Sequence, residues 1–234
     1  MVGQLHYFIT ALPSLGALGT APPIGLAELL EHLSEVPRVR RLVEAIVLLD
    51  DLEQREAFLA GELKQVEPAV LSIEQAKGEA PLPDFLSPAR EEEESFTIEL
   101  DRLWANYFRF VHQTGLREGI DFLRRWVGFE VAFRNALAVA RAQKLGLEEA
   151  GYVVVPELGD SEFDFSSAIG EWETAKTPLA GLQVVIRTRW EWCDRNDAWF
   201  QFVEDELLVY ALRIMLLSQW RRTSGEEKSV QSSE

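Results

Sequence analysis

The run 116–145 keeps the spacing of one helix face without a break and stops at Gly146. Phe122, Trp126, Phe129, Phe133, Leu137 and Ala140 form a stripe three and four residues apart. Ile120, Leu123, Val127 and Val131 widen that stripe, so this helix is expected to be buried on more than one side and to sit at the centre of the fold. A long helix wrapped in apolar residues needs other elements around it. Those preceding it read the same way: Phe96, Leu100, Leu103, Tyr107, Phe110 and Val111 predict a helix that ends at Gly115, pairing with the first as a hairpin with a tight turn. The four glutamates Glu91 to Glu94 read as the start of that helix, where carboxylates favour the positive end of the dipole, rather than as an acidic docking tag.

The helical period recurs elsewhere. Leu26, Leu29, Leu30 and Leu33 share one face, and Pro37 opens a longer helix through Val39, Leu42, Val43, Ile46, Leu49 and Leu52. Two more helices are expected over about 178–193 and 198–222. Proline and glycine punctuate the rest. Pro13, Gly16, Gly19, Pro22 and Pro23 make the first two dozen residues a short irregular segment, with 6–12 as a strand or a tucked-in extended piece. Pro68, Gly78, Pro81, Pro83 and Pro88 loosen 66–90 around one short helix near 69–75. A second irregular stretch covers 151–167, where Tyr152 to Pro156 is β-prone but too short to make a sheet. The class is predominantly all-α: a multi-helix bundle built on a long central helical hairpin. One helical domain over 1–222 is expected, with a division into two lobes near 77–90 as the alternative. Residues 223–234 read as a frayed polar tail.

Charge narrows the function. The chain has 23 Lys and Arg against 39 Asp and Glu, a net −16. That field repels phosphate backbones and acidic membrane surfaces, so no nucleic-acid partner is expected. Cys193, the single cysteine, forms no internal disulfide. The N-terminus lacks the basic start and apolar run of a signal peptide, and no apolar run approaches the roughly 20 residues of a membrane helix. A soluble cytoplasmic protein without direct membrane insertion is therefore expected.

No catalytic motif stands out. His6, His32 and His112 are scattered, and neither Glu-x-x-His nor His-Glu-x-x-His is present. The P-loop, the dinucleotide fingerprint and the nucleophile elbow are missing as well. Asp50 and Asp51 form an adjacent acidic pair, but neighbours on a helix point about 100° apart, and a solvated face is the expected place for them. No catalytic residue, metal ligand or cofactor is assigned. Within 116–146, Arg117, Arg124, Arg125, Arg134, Arg141 and Lys144 outnumber Glu118, Asp121 and Glu130, and internal pairing is expected, as between Glu130 and Arg134 at i,i+4. Of the seven tryptophans, Trp172, Trp190, Trp192, Trp199 and Trp220 crowd the last third; Trp190 and Trp192 cannot share a helix face, so one of them is expected nearer the surface.

The opening Tyr7-Phe8-Ile9-Thr10-Ala11-Leu12-Pro13-Ser14-Leu15, followed by Pro22-Pro23-Ile24, resembles that of an uncharacterised bacterial family encoded among V/A-type rotary ATPase genes. The segment Trp126-Val127-Gly128-Phe129-Glu130-Val131-Ala132-Phe133-Arg134-Asn135-Ala136-Leu137 is similar to that family's central helix. It is also similar, more weakly, to helices of the C/d-type subunits of V/A-type ATPases, as is the late stretch 202–211. A C/d-type subunit is a larger all-helical funnel of three similar lobes, seated between rotor shaft and membrane ring, and no threefold repeat is found here. The resemblance implies a non-catalytic subunit or an accessory or assembly factor of a bacterial V/A-type ATPase, a helical body that docks protein surfaces, cytoplasmic and peripheral to the membrane through that complex. Its partners would be ATPase subunits, which would bind and hydrolyse ATP themselves. Tyr7, Leu12, Pro13, Trp126, Phe129, Glu130, Arg134 and Asn135 carry the motif, with Arg134 and Asn135 implied to tie the central helix to adjoining loops. The alternatives are a small-molecule or metal-dependent enzyme with dispersed acidic residues, and a free-standing helical adaptor with an exposed aromatic patch near Trp190 or Trp199.

Overall fold

The computed structural model describes residues 2–87, 96–198 and 200–231, with the side chains of 2–4 and 225–231 left undescribed. Nine α-helices and no strand occur among them: α1 Val2–Ala11, α2 Leu26–His32, α3 Pro37–Leu59, α4 Ile73–Lys77, α5 Glu99–Glu118, α6 Asp121–Leu145, α7 Ser166–Glu173, α8 Pro178–Arg195 and α9 Glu204–Gln231. The all-α class read from the apolar period is the observed one. The expected helix start at Glu91–Glu94 and Trp199 lie outside the described residues.

The contacts divide the chain into two compact units, Met1–Ala80 with Glu171–Glu234, and Pro81–Gly170. In the first, α3 and α9 pack together; α2 lies against both, α4 against α3, and α1 and α8 against α9. Both principal helices are buried on nearly every side. Twelve of the 23 residues of α3 are buried, Ala45 to Leu52 without interruption. In α9 the run from Leu207 to Leu217 is buried except at Tyr210 and Arg213. The centre of this unit is therefore α3 with α9, whereas 116–145 was expected to be the centre of the whole fold.

The second unit is built on the expected hairpin, with its turn displaced. Gly115 does not end α5; it lies within the helix, and the chain turns at Gly119, whose φ of 70° is the left-handed cap that glycine favours. Gly115 serves packing instead, since a Cβ there would lie 3.0 Å from the Ile120 carbonyl and 3.1 Å from Leu123 Cβ. Over α6 runs the stretch 149–165, containing 3₁₀ turns at Glu149–Tyr152 and Pro156–Leu158. It approaches α6 closely at Gly128, whose carbonyl accepts from Asp160 N–H at 3.0 Å. The β-prone 152–156 is thus not a strand.

Four further expectations are corrected. The N-terminal segment is helical before Pro13, because Leu5, Phe8, Ile9 and Leu12 are its half-buried residues and follow helical spacing, not alternation. The short helix lies at Ile73–Lys77 rather than 69–75; Ser72 and Gln75 form a capping box and Gly78 closes it at φ 80°. An additional short helix, α7, starts at the end of the second irregular stretch and runs beyond it to Glu173, with the Asp164 carboxylate accepting from Ser166 N–H at 2.9 Å. The last two helices also differ in extent: α8 runs to Arg195, and α9 begins at Glu204 and continues to Gln231 through most of the expected tail.

Candidate functional site

The motif residues of α6 hold the second unit together. Trp126 and Phe129 are buried with ring centroids 5.8 Å apart, and Phe129 meets Phe163 and Phe165 from the covering stretch at 5.4 and 5.7 Å. Glu130, the next residue along the helix, is buried as well. The Arg134 guanidinium lies 4.4 Å from the Trp104 ring centroid and 3.5 Å from Asp101 Oδ1, joining α6 to α5. Burial pushes the Asp101 carboxyl up from its ordinary range, while Arg134 pulls it back down. Asn135 makes a two-bond clasp: its Nδ2 donates to Val154 C=O at 2.9 Å and its Oδ1 accepts from Val154 N–H at 2.8 Å. One side-chain amide thus does for buried Val154 what a neighbouring strand would do. Near the start of α6, Asp121 pairs with Arg124 at 3.1 Å and Arg125 at 3.5 Å, so part of the basic excess is met within the helix.

The other three motif residues belong to the first unit. Tyr7 is exposed on α1. Leu12 and Pro13 border a cavity of about 120 Å³, mostly apolar through residues such as Ile9 and Leu207, with Asp197, Glu206 and Arg213 also in its wall. Tyr210 Oη donates to the Pro13 carbonyl at 2.9 Å, and burial pushes its phenol up to about 12. The eight motif residues therefore form two groups in two units, not one constellation.

A buried polar network in the first unit was missed by sequence reasoning. Asp50 and Asp51, expected on a solvated face, are both buried. Asp51 accepts three backbone N–H groups, from Ala69 at 2.8 Å and from Val70 and Leu71 at 2.7 Å each. Burial pushes its carboxyl up to about 6, opposed by those three bonds, with Asp50 adding to the rise. Asp50 accepts from Gln54 at 2.8 Å, Gln219 at 2.9 Å and Arg222. Glu53 receives Gln219 at 2.8 Å and lies 2.8 Å from Arg189. Burial pulls the Arg222 guanidinium down, but Asp50, Glu53 and Glu67 together hold it above its usual range. The signal for this network was present in the sequence: Leu42 to Leu52 is apolar on every face except at Glu44, Asp50 and Asp51, so an acid in its second half has little water to face.

Fold and sites together define an all-α protein of two helical units whose polar clusters tie chain segments to one another. Compared with protein-family models, with curated protein sequences and with solved structures, the chain finds no match in any of the three.

Proposed function

We propose that this protein is a non-catalytic subunit or an accessory or assembly factor of a bacterial V/A-type ATPase, acting as a helical body that docks protein surfaces. The reading starts from the resemblance of the 7–15 and 126–137 segments, and one observation carries it further. Three polar groups of the motif contact the chain itself: Asn135 bonds to Val154, Arg134 stacks on Trp104 and pairs with Asp101, and the Pro13 carbonyl accepts from Tyr210. A motif spent on holding segments in place suits a docking body, whose demand is a fixed surface.

The enzyme alternative draws on Asp51, since a carboxyl pushed up to about 6 is the kind of perturbation found at catalytic sites. Its oxygens accept three loop N–H groups, however, which is the geometry of an anchor. The test of the docking reading is an affinity pull-down of tagged protein from its native host at low salt, read by mass spectrometry. ATPase subunits recovered in near-constant ratio are the expected result. Tagged protein recovered alone, with the ATPase intact in the lysate, overturns it.

A further inference from the structure

An unusual surface lies where α8 gives way to α9. Phe200 is 77% exposed and has left-handed backbone, φ 61°; Phe202, two residues on, has φ 54°. Both residues are clamped by one carboxylate, Glu206 accepting from Phe200 N–H at 3.3 Å and from Phe202 N–H at 2.9 Å. Left-handed backbone is disfavoured for an aromatic residue, and a ring mostly in water gains little from burial in its own fold. The clamp thus holds an aromatic side chain outward, the arrangement of an interface anchor.

The surface continues onto α1. The His6 ring stands 4.2 Å from the Phe202 ring, Tyr7 is 68% exposed, and Val203 adds apolar area. Beside it is the 120 Å³ cavity under Leu12 and Pro13, well below the roughly 300–1,000 Å³ of small-molecule sites and suited to a single side chain. The flanks are acidic: Glu191, Asp194 and Asp197 precede the loop, and Glu204, Asp205 and Glu206 follow it. Arg38 pairs with Glu204, Arg195 with Glu191, and Arg213 with both Asp194 and Asp197; six acids against these three arginines leave the cluster net negative, on a chain of net −16.

We propose that this surface docks a basic amphipathic helix of a partner protein, with one apolar side chain seated in the cavity and Phe200 packed on its apolar face. The charge selects this occupant. A second copy docking symmetrically would set the same acids against one another, and an anionic membrane would be repelled. The inference rests on the docking-body reading and gives it a surface and a partner chemistry.

The probe is a fluorescent 18-residue helix of lysine and leucine, titrated into the full chain and followed by anisotropy. Phe200→Ser is expected to weaken binding roughly tenfold or more. The double reversal Glu191→Lys with Asp205→Lys should weaken it comparably and flatten its salt dependence. Reversal of Glu148 and Glu149, exposed residues of the other unit, should leave it unchanged. Each variant is first matched to the parent by its circular-dichroism melt. Absence of binding, equal binding by all variants, or equal weakening by the Glu148/Glu149 reversal overturns the proposal. Using the parent and Phe200→Ser as baits separates it from the ATPase reading. If both retrieve ATPase subunits alike, the surface fails and that reading stands; if neither does while peptide binding still depends on Phe200, the surface stands and the ATPase reading fails.

Discussion

Asp51 sets chemistry against place: a carboxylate fully buried in α3, yet holding three N–H groups of the chain at 69–71. Its folded value of about 6 lies above the ordinary 3.8. A carboxyl raised in this way binds its proton more tightly folded than unfolded. Its contribution to stability is therefore largest below 3.8 and is lost as pH rises through 6, a span worth about 3 kcal/mol. Urea unfolding of the parent and of Asp51→Asn between pH 4 and 7 reads this directly. The difference should move in the parent's favour as pH falls from 6 to 4, and parallel curves would show that Asp51 does not titrate in that window. The apolar run around Asp50 and Asp51 signalled their burial, but the partners that satisfy them were not legible from the sequence. Asp50 is enclosed with Gln219 and Arg222, 169 and 172 residues away, and no local spacing reports such a neighbour.

At the scale of elements, two glycines close together in sequence do opposite things. Gly119 takes the left-handed turn between α5 and α6, while Gly115 lets the two helices close up beside it. Alanine at 119 finds open space and carries only the conformational cost, about 1 kcal/mol. Alanine at 115 meets the Ile120 carbonyl and the Leu123 and Arg124 side chains, and overpacking of that kind costs roughly 1–3 kcal/mol. Thermal melts should therefore rank parent, then Gly119→Ala, then Gly115→Ala. The hairpin itself was legible, because apolar residues at three- and four-residue spacing report a helix wherever it packs. Its turn was not, since a glycine that caps and one that admits a neighbour look alike in sequence. At α1 the apolar period was equally local, but the prolines beyond it drew the reading toward an irregular segment.

The whole molecule is two units with separate cores, one on α3 and α9 and the other on α5 and α6. Units with their own cores open with their own free energies. Asn135→Ala leaves the buried Val154 N–H and C=O without their clasp, a loss of about 2–3 kcal/mol. Native-state hydrogen exchange should show that loss in α5 and α6, with α3 and α9 keeping their protection. A uniform fall across all four helices would mean that the two units unfold together. The chain crosses between the units at 80/81 and again at 170/171, the second crossing lying within α7, beyond the stretch 151–167 that reads as irregular.

By itself the sequence determined the helical class, the hairpin, the approximate place of the long helices and the net negative charge, since periodicity and net charge are properties of neighbouring residues or of their sum. Tertiary structure decided which acids are buried, which glycine turns the chain, which polar side chain stands in for a strand, and that Phe200 is held outward. Each of these depends on groups brought together from distant positions, as Arg222 is to Asp50 and Asn135 to Val154. Burial and hydrogen bonding are settled by that packing, and local sequence carries only the propensity for it.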